Sequence, residues 1–308
     1  MIPGGVVAMR EAVNIWLTMG KEHQNDKGDV LIIAGATASG KSAVALRLAE
    51  QRNGLILNAD SMQVYEGLPI LSAQPVPGDP HRLYGVLKAF ERCSAARWRT
   101  MVTAEINRAL EAAKLPIVVG GTGLYIKALT EGLSPIPEID EGHAQAWYTE
   151  RNDWTAADFR TALTKVDPVL AGQLKDRQRL ARALLVGQVT GTPLSVWQKI
   201  PPPPVPYTFH KQWLTMPRGA LHARIAQRLE AMFIAGVLDE VAAFTKRGLD
   251  PALPIMKTLG LAALQNYLQG LLSLEEAKHR ILTTTRQYAK RQETWFRHQY
   301  KGEAMCTM

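Results

Sequence analysis

With 308 residues the chain can bury one sizeable core, or a core with a smaller inserted domain. Its 46% hydrophobic and 21% charged residues sit near the averages of soluble globular proteins, which excludes a disordered or fibrous chain. The net charge of +8 attracts polyanions, so nucleic acid is a candidate partner beside the simpler reading of a solvated basic surface.

In chain order, residues 1–28 read as a flexible leader. The apolar stretch from Ile2 to Met19 is broken by Arg10, Glu11 and Asn14, which makes a poor signal peptide, and a polar cluster from Lys21 to Gly28 follows. No other stretch approaches the ~20 apolar residues a membrane helix needs, so no membrane partner is expected and the cytoplasm is the expected compartment. Asp29 to Ala34 is a short apolar, β-branched run, as in a strand buried on both faces. Lys41 to Arg52 carries Val44, Ala45, Leu48 and Ala49 at helical spacing, and Gly54 to Asn58 is the second strand. Met101 to Lys114 is predicted helical, and Pro116 to Val119 is a strand ending in Gly120-Gly121. Strands alternating with helices specify a parallel sheet with right-handed crossovers.

From Gly132 the strand signals stop. Pro135 and Pro137 break the chain, and helical segments run to Lys199 before the Pro201–Pro204 run, so residues 132–205 are predicted to form an inserted all-helical domain. Tyr207 to Met216 is predicted as a returning strand, with one long helix from Leu221 to Phe244 and another from Leu274 to Tyr300. The expected fold is α/β: a P-loop NTPase-like parallel sheet flanked by helices, built from 29–131 and 206–308 around the insertion. Cys93 and Cys306 form no CxxC pair and the seven histidines show no metal-ligand spacing, which points to a reducing compartment without structural zinc.

The run Gly35, Ala36, Thr37, Ala38, Ser39, Gly40, Lys41, Ser42 matches G-x-x-x-x-G-K-[ST]. Its glycines let backbone N–H groups converge on phosphate oxygens, Lys41 supplies a point charge, and Ser42 can ligate Mg²⁺. The helix that starts there points its positive end at the same anion. In a parallel sheet the carboxyl ends of strands face a common crevice. The P-loop, Asp60-Ser61-Met62-Gln63 and Gly120-Gly121-Thr122-Gly123 should therefore converge on one cleft.

Five segments together carry a resemblance: residues 35–42, Asn58 to Tyr65, Val119 to Tyr125, Leu221 to Arg228, and Thr285 to Arg297. In this order, over about residues 29 to 300, the chain resembles the tRNA dimethylallyltransferase family. The resemblance implies transfer of a dimethylallyl group from dimethylallyl diphosphate to N6 of the adenine immediately 3′ of the anticodon, with that base flipped out of the tRNA anticodon stem-loop. It implies that Asp60 is the general base, and that Thr122, Lys41, Ser42 with Mg²⁺, and Arg228 hold the diphosphate. It also implies that Asp60, Ser61, Met62 and Gln63, then Gln178, Arg179 and Arg182 in the helical insertion, and Lys290, Arg291 and Arg297 touch tRNA. Departures from the family pattern are Ala36 where Pro is usual, Leu71-Ser-Ala-Gln74-Pro75 where Gly-Thr-Ala-Lys-Pro is usual, a short 75–81 stretch, and the leader.

The residues themselves leave alternatives open. Asp60 can serve as base, or order Mg²⁺ water, or cap the turn after it. Arg224 stands one helical turn before Arg228 and can face the cleft or solvent. In the last helix His279, Arg286, Lys290 and Arg297 share one face while Ile281, Tyr288 and Trp295 lie opposite, so Trp295 is expected to be packed rather than stacked on a base. A small-molecule P-loop kinase or an RNA-binding GTPase or ATPase switch would share the phosphate loop. Neither explains the basic segments, and the guanine motif Asn-Lys-x-Asp is missing. Nothing in the sequence demands a dimer, and a monomer is expected.

Overall fold

The computed structural model describes residues 28–76, 78, 80–300 and 302–306. The predicted leader lies outside them except for Gly28. The described chain forms two compact units, one of residues up to 130 together with those from 206, the other of residues 131–205.

In the first unit six parallel strands run in the order β3-β2-β4-β1-β5-β6. They are β1 (Asp29–Gly35), β2 (Gly54–Asn58), β3 (His81–Arg82), β4 (Leu115–Gly120), β5 (Thr208–Thr215) and β6 (Glu303–Cys306). Alternate residues of β1 enter opposite cores: Val30, Ile32 and Ala34 on one face, Leu31 and Ile33 on the other. Burial on both faces is why the strand reads as an unbroken apolar run. The helices α1 (Lys41–Arg52), α2 (Pro69–Ser72), α3 (Ala95–Glu111) and α4 (Gly123–Thr130) belong to the first half of this unit. Val44, Ala45, Leu48 and Ala49 of α1 pack against Ile33, Ile56 and Ile117. Trp98, Val102 and Ile106 of α3 cover the other face.

Two predicted helices have different limits. The helix expected from Met101 begins at Ala95, because the Ser94 hydroxyl accepts the Arg97 N–H at 3.1 Å and caps it, and it stops at Glu111, before Ala113 turns to φ +51°. Strands β3 and β6 were not expected, being short and carrying no clear alternation.

The 131–205 unit is helical, with α5 (Glu141–Thr149), α6 (Ala156–Val166), α7 (Pro168–Gln173), α8 (Arg177–Thr190) and α9 (Leu194–Trp197). Its own core gathers Trp147, Phe159, Leu163, Leu180 and Leu184. The fully buried Asp167 accepts N–H groups of Leu170 at 3.1 Å and Ser195 at 2.8 Å, so its charge is spent on helix caps.

Beyond β5 the first unit resumes with α10 (Arg218–Ile234), α11 (Val237–Thr245), a 3₁₀ turn over Pro254–Lys257, α12 (Leu261–Leu268) and α13 (Leu274–Gln299). The single helix predicted over 221–244 is thus two. Gly236 takes φ +89°, a left-handed conformation that ends one helical path and starts another, while the apolar spacing on both sides hides the break. Among the described residues no helix is long and apolar enough to cross a membrane.

Candidate active site

Because β2, β4 and β1 are neighbours in the sheet, the loops at their carboxyl ends lie side by side. The register sets Ala34 against Gly120 and Asn58 against Val119. The three predicted segments do meet, and hydrogen bonds join them.

At the end of β1 the chain turns through Ala36–Ser39, with Ser39 N–H donating to Ala36 C=O at 3.2 Å, Ala38 at φ +63° and Gly40 at φ +93°. The left-handed backbone at Gly40 is what favours glycine there, since the Arg224 guanidinium that a Cβ would meet at 2.8 Å is the end of a flexible side chain. No side chain caps the start of α1, which leaves its first amides directed at the loop, as an anion requires. Lys41 Nζ reaches back to the Ala36 carbonyl at 3.2 Å, and Ser42 is exposed on the first turn. Burial lowers the Lys41 pKa to about 8; Asp60 opposes that shift and Arg228 adds to it.

The sign of this shift gives an expected result. Below about pH 8 Lys41 is a cation, and above it the amine becomes neutral. Affinity for inorganic diphosphate, measured by calorimetry, is expected to fall as pH rises from 7 through 9. Because diphosphate itself gains charge over that range, the profile is compared with that of Lys41→Ala, and identical profiles remove Lys41 from anion binding.

Asp60 follows β2 on a turn built by Asn58, which is fully buried. Asn58 Oδ1 accepts the Asp60 N–H at 2.8 Å, its Nδ2 donates to the carbonyls of Asp60 and Leu83 at 3.0 Å each, and its own carbonyl accepts Trp98 Nε1 at 2.9 Å. Asp60 Oδ1 accepts Met62 N–H at 2.9 Å, so one carboxylate oxygen does cap the turn. The other has no hydrogen bond among the described residues. Thr122 Oγ1 accepts Ser61 N–H at 2.9 Å and donates to Ser61 Oγ at 3.3 Å, pinning this turn to the loop after β4.

From α10, Arg228 donates to Thr37 Oγ1 and to the Ser72 carbonyl, each at 3.2 Å. Burial lowers its pKa and Asp60 opposes the shift. Arg224 is exposed, yet its guanidinium comes within 3.4 Å of the Ser39 carbonyl, so it faces the P-loop and solvent together.

Some of these groups border a cavity of about 320 Å³. Thr37, Asp60, Ser61, Arg228, Tyr288 and Arg291 supply polar wall, and Met62, Leu71, Ile225, Leu229, Met232 and Ile281 supply apolar wall. One P-loop residue, Thr37, thus faces the same volume as Arg228, a carboxylate and an apolar lining, while Lys41 and Ser42 are not among the lining residues. Such a site can hold a phosphorylated ligand with an apolar tail and take a proton from a second one.

Not every predicted site residue stands on that wall. Thr122 is not among the lining residues, and its hydroxyl bonds Ser61. Gln63 spends its amide on the carbonyls of Ser72 at 2.8 Å and Ala73 at 2.9 Å, tying the Asp60 turn to α2. Gln74, where the family pattern has lysine, donates to the Tyr65 carbonyl at 2.8 Å and Ser72 Oγ at 3.1 Å. Lys290 and Arg297 are exposed on α13, as is His279, whereas Arg286 is only partly exposed. Trp295 is packed: a Cβ on Gly123 would lie 2.3 Å from its ring. Gln178, Arg179 and Arg182 are exposed on α8 of the other unit.

Several site residues escaped the sequence reading. Lys257, which ends the 3₁₀ turn, and Thr258 after it border the cavity, and Asn58 builds the Asp60 turn. Gln292 is buried on the core face of α13, accepting Thr37 N–H through Oε1 and donating from Nε2 to the Gly121 carbonyl, both at 2.9 Å. Its available signal was a polar residue at an apolar helical position, in line with Ile281 and Tyr288.

Residues 63–299 match the IPP transferase family and residues 28–86 match an isopentenyl transferase family. A tRNA dimethylallyltransferase of Parvibaculum lavamentivorans is 46% identical over 279 residues, covering 88% of each chain. Among solved structures, the tRNA isopentenylpyrophosphate transferase of Bacillus halodurans aligns with a TM-score of 0.66 at 30% identity, over 91% of this chain and 90% of its own. A eukaryotic dimethylallyltransferase acting on tRNA aligns with a TM-score of 0.74 at 28% identity, over 87% of this chain and 70% of its own.

Proposed function

Since the chain belongs to the tRNA dimethylallyltransferase family, whose members are prenyltransferases, we propose that it moves the dimethylallyl group of dimethylallyl diphosphate to N6 of the adenine immediately 3′ of the anticodon in tRNA. One observation carries the reading: Arg228 and the P-loop residue Thr37 border the same cavity as the Asp60 carboxylate.

The N6 amine is a weak nucleophile because its lone pair is delocalised into the ring. The Asp60 oxygen that does not cap the turn accepts an N6 proton as nitrogen bonds to C1 of the prenyl group. The C1–O bond breaks and diphosphate leaves with its electron pair. Lys41, the first amides of α1 and Arg228 are already in place to receive that charge, so little reorganisation opposes it. The apolar wall of Met62, Leu229 and Met232 takes the hydrocarbon and keeps water from the allylic carbon. The adenine must leave its stack to reach Asp60.

A magnesium ion fits this arrangement by its donor chemistry. Among the described residues no cluster of three or more His, Cys, Asp or Glu could hold a metal by itself. Mg²⁺ is commonly held by few protein groups together with water and substrate phosphates, and the exposed Ser42 hydroxyl offers one such oxygen. When bound, the ion neutralises charge on the departing diphosphate.

Gln178, Arg179 and Arg182 of the helical unit and Lys290, Arg291 and Arg297 of α13 contact tRNA in this reading, and the enzyme works as a monomer in the cytoplasm. Phosphate contacts release counterions, so tRNA affinity is expected to fall steeply between low and moderate salt. Replacing Lys290 or Arg297 with alanine should each reduce the slope of log affinity against log salt by roughly 1. Filter binding across a salt series checks this; an unchanged slope makes those side chains ordinary solvated charges.

The direct test incubates the protein with unmodified tRNA, Mg²⁺ and dimethylallyl diphosphate and analyses the digested RNA. N6-isopentenyladenosine supports the reading, and its absence under conditions where tRNA is bound overturns it.

A further inference from the structure

We propose that Gln292 is a positioning residue for prenyl transfer, holding the P-loop and the Gly120–Thr122 loop in one fixed relation so that donor and acceptor meet at reacting distance. The inference rests on the assignment of the P-loop to the donor diphosphate.

Gln292 is 5% exposed, and both ends of its amide are committed. Oε1 accepts the Thr37 N–H and Nε2 donates to the Gly121 carbonyl, each at 2.9 Å. The fit is tight on the Gly121 side, where a Cβ would come within 2.1 Å of Nε2. An amide of this length supplies an acceptor at one end and a donor at the other at any pH.

Each loop leads onward to one half of the chemistry. Thr37 takes its second anchor from Arg228 at 3.2 Å, which sets the diphosphate side. Thr122, next to Gly121, holds Ser61 N–H at 2.9 Å and thereby the turn that presents Asp60. Breaking the bridge leaves a partly buried N–H and a buried carbonyl without this partner and lets the loops shift independently. A misplacement of about 1 Å costs on the order of 10²-fold in a reaction that depends on alignment.

Gln292→Glu separates this role from simple packing. The carboxylate still accepts Thr37 N–H, but its second oxygen repels the Gly121 carbonyl. When protonated, the acid donates to that carbonyl and restores the bridge. Lys41, Asp60, Arg228 and Tyr288 are the charged or titratable groups of the site, and a new carboxylate acts on them as well, so Gln292→Met, which removes both bonds without adding charge, is the control for loss of the bridge. Gln292→Met keeps length and volume but makes neither bond.

The experiment measures single-turnover prenyl transfer, and KM for dimethylallyl diphosphate and for tRNA, from pH 5.5 to 8.5, beside thermal melting and calorimetric binding of inorganic diphosphate. Gln292→Glu is expected to be roughly 10- to 100-fold slower than wild type at pH 8 and to approach the wild-type rate as pH falls. Gln292→Met should be slow at every pH, with the loss mainly in kcat and with tRNA affinity unchanged. If Gln292→Met fails to fold, the pH-dependent ratio for Gln292→Glu decides. A ratio that does not change with pH, or full rates in both variants while wild type is active, overturns the role of Gln292 alone. Wild-type protein that neither binds diphosphate nor transfers the group overturns the donor reading, and this inference with it.

Discussion

Asp60→Asn protein is expected to bind tRNA and dimethylallyl diphosphate and yet to transfer the prenyl group at least ~10²-fold more slowly, the usual scale for loss of a positioned base. The substitution is unusually clean here. Asn keeps an oxygen to accept Met62 N–H, the bond that Asp60 Oδ1 makes at 2.9 Å, and the Asn58 and Thr122 bonds around the turn involve backbone groups that do not change. What disappears is the charge and the second proton-accepting oxygen. Single-turnover rates at saturating donor separate this loss from binding. The variant also loses the carboxylate that opposes the lowering of the Lys41 pKa to about 8 by burial, so its diphosphate affinity should begin to fall at lower pH than in wild type. Near-normal chemistry in Asp60→Asn would restrict Asp60 to capping its turn.

Lys41→Ala is expected to reduce prenyl transfer by on the order of 10²–10³-fold, the cost of removing one pre-aimed donor from developing negative charge. Lys41 Nζ holds the Ala36 carbonyl at 3.2 Å, so the ammonium sits over the loop before any ligand arrives. The same experiment separates a transferase from a kinase. A kinase aligns a γ-phosphoryl group with an incoming hydroxyl, whereas this site holds a departing diphosphate while carbon is attacked. Wild-type protein should therefore act on the prenyl diphosphate and leave ATP as at most a weak competitor. Release of ADP or phosphate from ATP, with and without tRNA, is measured beside prenyl transfer. Robust ATP turnover without modified adenosine would replace the transferase reading with a kinase or ATPase.

Local chemistry was readable from the sequence alone wherever it is written in short stretches. The limits of α1 and β2 follow from apolar spacing and glycine position, because a helix and a doubly buried strand leave different periods over a few residues. The P-loop follows from four fixed residues on a strand–turn–helix frame, and five ordered motifs carry the family. Tertiary structure decided what depends on residues far apart in the chain. The sheet order β2-β4-β1 sets the loops after three strands side by side, and no single strand encodes its neighbour. The break at Gly236 depends on how two helices pack, since the apolar spacing continues on both sides of it. Gln292 lies 255 residues from Thr37 and 171 from Gly121, and only folding reveals that its amide joins them. Thr122 and Gln63 likewise read as ligand-facing polar residues in sequence, yet their side chains hold the turns that present Asp60, because buried backbone groups must be paired before a loop can be fixed.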